Sequence, residues 1–127
     1  MLVIDSSATV ALLLGRSDAD GIARHIEAHG SRLHAPHLID IEVLNVLARL
    51  DADDAVADFL AFPLRRYPHA ILGFRIWELR ENFSAYDAIY LALAENLAEN
   101  GVPLLTANEQ FAKAARKHTE VEVLLAA

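Results

Sequence analysis

The stretch MLVIDSSATVALLLG, residues 1–15, decides the fold class. Its run LVI is short, apolar and rich in β-branched side chains, which is typical of a buried strand. The following SATVALLLG is predicted to form a short helix that ends at Gly15, because glycine often follows the last turn of a helix. A buried strand that leads into a helix is the first unit of an α/β fold.

The same alternation continues along the chain. Further strands are predicted in RLHA, VPLLTA and EVEVLLA, with a shorter one in RRYPHA. Further helices are predicted in SDADGIARHIEAHG, HLIDIEVLNVLARL, ADDAVADFLAF, AILGFRIWELRE, AYDAIYLALAENLAEN and NEQFAKAARKH. Strands separated by helices predict an α/β sandwich with a mainly parallel sheet.

Two of these helices carry specific expectations. Pro36 is expected to open HLIDIEVLNVLARL, because proline suits the first turn of a helix. The helix AILGFRIWELRE is expected to carry its apolar side on Ile71, Phe74, Ile76 and Trp77. No repeat or linker interrupts the sequence, so we expect one domain over residues 1–127.

The composition and charge of the chain argue against several classes of function. The apolar runs are too short to span a membrane, no signal peptide is visible and there is no cysteine, which together suggest a cytoplasmic protein without thiol chemistry. The formal net charge of −7 argues against nucleic-acid binding through charge alone. It is compatible with a metal-dependent nuclease, whose bound cations offset a cluster of carboxylates, or with a basic partner.

Polar side chains follow two predicted strands. Asp5 comes directly after LVI, and Thr106, Ala107 and Asn108 come after PLL. In open parallel sheets, sites form beyond the carboxyl ends of the strands. Asp5 and Asn108 also have a purely structural explanation as helix N-caps, and Thr106 is an alternative cap for the last helix.

Two further carboxylates lie in strongly apolar helices. Glu42, Asn45 and Arg49 are spaced so that they lie along one side of their helix. This polar line also has a purely structural explanation as the solvent-exposed side of the helix. Asp87 is in the first turn of its helix, where Ser84 and Asp87 are spaced as in a capping box. Converging carboxylates would raise one another's pKa values unless a cation lay between them. Mg²⁺ prefers such oxygen ligands. A shared metal site is therefore an alternative to separate structural roles for the three carboxylates in helix capping or on a solvent-exposed helix side.

Four segments in order resemble PIN-domain proteins, and among them the VapC-like toxins of bacterial toxin–antitoxin pairs. They are VIDSSA, PHLIDIEVLNVL, YPHAILGFRIWELRENFSAYDAIYLALAE and PLLTANEQFA. The resemblance implies a three-layer α/β/α fold and metal-dependent endoribonuclease activity, in which a metal-activated water cleaves single-stranded RNA. It also implies that Asp5, Glu42 and Asp87 are catalytic ligands of Mg²⁺ or Mn²⁺.

The chain departs from the family pattern at two places. Asn108 stands where the family often has an aspartate, so it would assist in metal binding without supplying charge. The region around residues 50–54 is shorter than in close relatives, in a part that resembles the one gripping the antitoxin. Arg75 and Arg80, together with Arg65 and Arg66, are candidate phosphate contacts, although surface ion pairs are an alternative for each.

The resemblance further implies partners. We expect an RNA substrate, a small VapB-like antitoxin with a basic tail, and a homodimer. The alternative function is a catalytically weak PIN-like module that works by protein binding, which the change at Asn108 and the shortened region would favour. Metal binding without RNA cleavage would distinguish it. A receiver-like signalling domain is disfavoured, because no second acidic residue is grouped with Asp5 and no phosphoacceptor follows a later strand.

Overall fold

The computed structural model describes residues 1–30 and 32–126 and confirms the α/β fold. Strands and helices alternate through most of this part, with a short 3-10 turn over Ala70–Leu72. The strands are β1 (Leu2–Ile4), β2 (Leu33–Pro36), β3 (Leu64–Tyr67), β4 (Leu104–Thr106) and β5 (Val123–Leu125). The helices are α1 (Ser6–Leu13), α2 (Ala19–Ala28), α3 (Leu38–Arg49), α4 (Asp53–Leu60), α5 (Gly73–Glu78), α6 (Ala85–Asn96) and α7 (Glu109–His118).

The five strands form one parallel sheet in the order β3-β2-β1-β4-β5. The chain moves outward from β1 to β2 and β3, then crosses back to place β4 on the other side of β1. Val3 pairs with Leu104, and Ile4 pairs with Leu105. The strand order therefore reverses between β1 and β4, which is where open α/β sheets form their ligand crevices.

Helices cover the sheet and bury its central strand completely. All three residues of β1 have no exposed surface. Helix α6 packs against β1, β2 and β4, while α1 packs with α2, α3 and α4. Residues 88–94 of α6 are all buried, as expected for a helix that is apolar on most sides. In the described residues, no helix combines the length and apolarity needed to cross a membrane.

One predicted helix start was wrong. Pro36 is the last residue of β2, paired with Tyr67, and α3 begins two residues later. The amide of His37 donates to the Tyr67 carbonyl at 2.8 Å, so the hydrogen bonding of the sheet continues past the proline. Because proline lacks an amide proton, it fits the end of a strand as well as the start of a helix.

Two predicted helix ends were also wrong. Helix α6 ends at Asn96 instead of near residue 100, because the amide of Val102 turns back to the Ala94 carbonyl at 2.8 Å and Gly101 takes a left-handed φ of 76°. The segment AILGFRIWELRE divides into the 3-10 turn and the six residues of α5. The side chains predicted to form its apolar side are largely exposed, at 71% for Ile71, 92% for Phe74 and 64% for Trp77, whereas Ile76 is half-buried. The segment instead buries Leu72 and Leu79.

Candidate active site

Asp5 begins the candidate site, immediately after β1. It is the N-cap of α1: its Oδ1 accepts hydrogen bonds from the Ala8 amide at 2.9 Å and from Ser7 Oγ at 2.7 Å. Its Oδ2 accepts a short hydrogen bond from the hydroxyl of Thr106. Only 6% of Asp5 is exposed. A role as a helix cap therefore coexists with a carboxylate fixed at the reversal point of the sheet.

Hydroxyl groups connect the ends of β1 and β4. Thr106 is the fully buried last residue of β4, and its Oγ1 also accepts from the Asn108 amide at 3.0 Å. Ser7 Oγ accepts from the Ala107 amide at 3.0 Å. These bonds fix the orientation of the Asp5 carboxylate from both strands. Thr106 therefore holds Asp5, and the N-cap of α7 is Asn108.

Glu42 reaches the same region from α3. Its Oε1 accepts a hydrogen bond from the Tyr90 hydroxyl at 2.5 Å. Tyr90 is 2% exposed and lies one turn after Asp87 on α6. Residues three apart on a helix lie on the same side, so the bond holds Glu42 beside the part of α6 that carries Asp87. Asn45 and Arg49, the other members of the polar line, are exposed.

Asp87 is positioned by the start of α6. Ser84 is the N-cap, and its Oγ accepts from the Asp87 amide at 3.2 Å, which confirms the capping role of Ser84. The Asp87 side chain is exposed, and its carboxylate accepts no hydrogen bond from the described residues. Asp87 is thus the one carboxylate of the three that is open to an incoming group.

Burial and mutual repulsion disfavour the charged forms of these carboxylates. Burial raises the pKa of Asp5 to about 6, against the lowering effect of the Thr106, Ala8 and Ser7 hydrogen bonds, and the Asp87 charge raises it further. Burial and the Asp87 charge also raise the pKa of Glu42, while the Tyr90 bond opposes them. Partial burial raises the pKa of Asp87 itself. Nearby negative charges with raised pKa values are typical of functional sites.

Asn108, the fourth predicted metal ligand, lies in the loop between β4 and α7. Its Oδ1 accepts from the Phe111 amide at 3.0 Å and caps α7, while the residue itself is exposed. Within residues 1–30 and 32–126, no three Asp, Glu or His side chains are gathered closely enough to enclose a metal ion. The donor set is nevertheless suited to a hard cation, since it consists of carboxylate, amide and hydroxyl oxygens.

Comparison with known proteins identifies the family. Residues 2–117 match the PIN domain. The chain belongs to the PIN-domain family. Ribonuclease VapC9 of Mycobacterium tuberculosis is 44% identical over 106 residues, covering 76% of this chain and 80% of the relative. Ribonuclease VapC12 of the same organism is 34% identical over 133 residues, covering 98% of this chain and 99% of the relative.

Solved structures share the PIN fold. The Sarcin-Ricin loop cleaving toxin VapC20 of Mycobacterium tuberculosis superposes with a TM-score of 0.69 at 19% identity, covering 90% of this chain and 95% of that one. VapBC2 from Rickettsia felis, bound to a DNA fragment from its promoter, superposes with a TM-score of 0.69 at 15% identity, covering 96% of each chain. The resemblance inferred from the four sequence segments, and the fold it implies, are confirmed.

The candidate phosphate contacts Arg75 and Arg80 of this PIN domain each contact another side chain. Arg75 pairs with Glu95 through two hydrogen bonds of 2.7 and 3.0 Å. Glu95 is eight residues after Asp87, which is about 12 Å along a helix, so Arg75 lies near the other end of α6. Arg80 stacks on the Trp77 ring with its guanidinium carbon 4.4 Å from the centroid. Phosphate binding by either arginine stays a prediction.

The sequence did not indicate that Ser7 and Tyr90 support the site of this PIN domain. Thr106 was predicted at this edge of the sheet, but only as an alternative helix cap and not as a partner of Asp5. Their partners are distant in sequence, at 48 residues for the Tyr90 bond and 101 for the Thr106 bond. The only available signal was a hydroxyl residue next to, or one helical turn from, a suspected carboxylate.

Proposed function

We propose that this PIN-domain protein is a metal-dependent endoribonuclease and the toxin of a toxin–antitoxin pair. The observation that carries the proposal is the arrangement of Asp5, Glu42 and Asp87. They come from three separate segments to one region at the reversal point of the sheet, where each has a raised pKa. The ribonuclease names of the relatives with 34% and 44% identity support the same reaction.

Asp5, Glu42 and Asp87 would hold Mg²⁺ or Mn²⁺, with Asn108 assisting through its amide oxygen or through water. Such an ion supplies an activated water and stabilises the charge that develops on a phosphodiester during hydrolysis. The raised pKa values are consistent with this assignment, because a cation would favour the charged carboxylates that burial and repulsion now disfavour.

The protein side chains divide the remaining work. Ser7 and Thr106 hold Asp5, and Tyr90 holds Glu42, so these two carboxylates keep a fixed orientation toward the substrate. Asp87 accepts no side-chain hydrogen bond from residues 1–30 and 32–126, and it is open to solvent. It is therefore the carboxylate best placed to take the proton from an attacking water.

The proposed partners follow from charge and exposed apolar surface. A basic antitoxin tail of the VapB type would be attracted by the net charge of −7 and would place a cation among the carboxylates. A homodimer would cover the exposed side chains of Ile71, Phe74 and Trp77, which are apolar and spaced three residues apart. We place both associations, and the RNA substrate, in the cytoplasm.

Cleavage of a mixed RNA pool by the purified, antitoxin-free protein tests the reaction. We expect cutting with Mg²⁺ or Mn²⁺ and none with EDTA. Asp5→Asn and Asp87→Asn should abolish cutting, whereas Asp58→Asn should not, because Asp58 is an exposed carboxylate of α4 outside the site. Circular dichroism would verify that each variant is folded.

Two results would contradict the proposal. One is full activity in a folded Asp5→Asn variant, which would move the reaction elsewhere. The other is metal binding by the folded wild type without cutting of any RNA, which would favour the protein-binding alternative.

The dimer is tested separately by light scattering of the wild type and Phe74→Glu. A wild type that remains monomeric at high concentration would refute it.

A further inference from the structure

A cavity of about 440 Å³ lies beside the candidate active site. Its walls come from α1, from α3, from the loop between α1 and α2 and from the loop between β4 and α7. Cavities of a few hundred Å³ are the usual size for binding small organic groups. The lining residues that matter here are Ser6, Ser7, Val10, Arg16, Val46 and Asn108.

The cavity is continuous with the carboxylates. Ser7 Oγ donates to Asp5 at 2.7 Å, and the Ser6 side chain is near enough to Glu42 to lower the pKa of that carboxyl group. One wall therefore consists of the residues that contact both carboxylates on their cavity side. Val46 lies one turn after Glu42 on α3, so the cavity extends from the site along the groove between α1 and α3.

The walls offer an apolar surface next to polar edges. Val10 and Val46 both line the cavity, and the half-buried Val46 presents an aliphatic group that suits the flat face of a base. The Ser6 and Ser7 hydroxyls and the Asn108 amide are donors or acceptors for a base edge or a ribose. This mixture is typical of sites for a nucleoside, which has one apolar face and many polar edges.

Arg16 is the basic residue among those that line the cavity. Its side chain is exposed and makes no ion pair or hydrogen bond with the described residues. Its backbone is firmly held: its amide donates to Ala11 O at 3.0 Å and its carbonyl accepts from Ala19 at 2.9 Å. Gly15, with φ of 61°, completes this Schellman motif at the end of α1. The fold therefore fixes the backbone of Arg16 at the cavity rim and leaves its side chain available to bind an anion.

Asp18 balances this charge on the same wall. It is half-buried, and although it is the N-cap residue of α2, its carboxylate makes no capping hydrogen bond. The described salt bridges do not join it to Arg16. A cavity that offers one cation and one anion suits a nucleotide, which has a phosphate and, on most bases, an amino group.

We propose that this cavity is the subsite for the nucleotide next to the scissile phosphate, and that Arg16 binds the phosphate of that nucleotide. The inference rests on the proposed RNA cleavage. Helix α1 has eight residues, which is about 12 Å. Arg16 follows its far end, so its side chain reaches a neighbouring phosphate of the strand. Arg16 is thus a substrate-binding residue that does not touch the reacting atoms.

Single-turnover cleavage of a short single-stranded RNA tests the subsite, because its dependence on protein concentration separates half-saturation from the maximal rate. We expect Arg16→Ala to raise the half-saturating concentration about ten-fold, as for one charge-assisted contact, with the maximal rate nearly unchanged. The slope of log affinity against log salt should fall by about 0.7, the value for one lost phosphate contact on a single strand.

Matched variants separate the subsite from general effects. Arg49→Ala removes the same charge from an exposed position at the end of α3 and should leave both quantities unchanged. Val46→Phe should fill the cavity and raise the half-saturating concentration, whereas Ala48→Phe, at an exposed position of the same helix, should not.

Wild-type behaviour in both Arg16→Ala and Val46→Phe would overturn the subsite while leaving the proposed ribonuclease function intact. A loss of antitoxin affinity in Arg16→Ala with unchanged RNA kinetics would also overturn it, since the cavity would then serve the protein partner. Absence of cutting by the wild type would refute the ribonuclease function itself, and the two failures are therefore distinguishable.

Discussion

The hydroxyl of Tyr90 donates to Glu42 Oε1 at 2.5 Å, joining α6 to α3 across 48 residues of sequence. This bond fixes a half-buried carboxylate at the end of the sheet and opposes the rise of its pKa that burial causes. It also makes a helix that is buried over residues 88–94 a source of polar support for the site.

Tyr90→Phe should weaken cleavage and shift the acid limb of its pH–rate profile to higher pH. Without the hydroxyl, the charged form of Glu42 loses a donor, so its pKa moves further above the ordinary value. We expect a loss of about 1 kcal/mol in the free energy of unfolding. Tyr86→Phe is the control, because Tyr86 is on the same helix but 62% exposed. A pH profile identical to that of the wild type would show that Tyr90 does not position Glu42.

Thr106→Val should raise the pKa of Asp5 above its value of about 6, because the Thr106 hydroxyl stabilises the charged carboxylate. The free energy of unfolding should fall by about 1–3 kcal/mol, the cost of an unpaired buried group. Thr9→Val is a close control, since Thr9 is also fully buried but donates to the backbone carbonyl of Asp5 at 2.9 Å. It should affect stability without moving the carboxyl pKa, as followed by NMR titration. Equal titrations of Asp5 in both variants would contradict this assignment.

The metal-free protein should lose stability as the pH rises from about 4 to above 6. The pKa of Asp5 is raised from 3.8 to about 6 in the folded state, so the folded state binds the proton more tightly than the unfolded state. Since one pKa unit corresponds to about 1.4 kcal/mol, the contribution lost over this window is about 3 kcal/mol. Urea unfolding of the wild type and Asp5→Asn, compared at each pH, isolates this contribution. If the wild type instead gained stability relative to Asp5→Asn as the pH rose, the prediction would be wrong.

Asn108→Asp should bind Mg²⁺ several-fold more tightly than the wild type. Aspartate caps a helix as well as asparagine does, so the hydrogen bond to the Phe111 amide is retained while a fourth carboxylate is added. Asn108→Ser keeps a capping oxygen without the charge and should not tighten binding. Isothermal titration calorimetry measures both affinities. Equal affinities in the wild type and Asn108→Asp would place Asn108 outside the metal site.

The sequence was sufficient for the alternation of strands and helices, whereas the roles of the three carboxylates stay a prediction. LVI, PLL and the strongly apolar α6 each carry a local pattern that fixes their type. The supports of the carboxylates were out of reach, because the bonds of Thr106 and Tyr90 depend on which strands and helices become neighbours. Local periodicity likewise revealed that Phe74 and Trp77 share an apolar side, but not that this side faces outward.

Because β1 pairs with β4, a strand that is synthesised early cannot complete its pairing until a much later strand has been made. Val3 meets Leu104, and Asp5 receives the hydroxyl of Thr106 across 101 residues. Parallel pairings this distant form slowly, since the loop must close before the contacts stabilise it. A nascent chain that has not released residue 106 therefore has no assembled acidic site. Under the proposed function, translation can be interrupted almost anywhere in this chain without liberating an active nuclease.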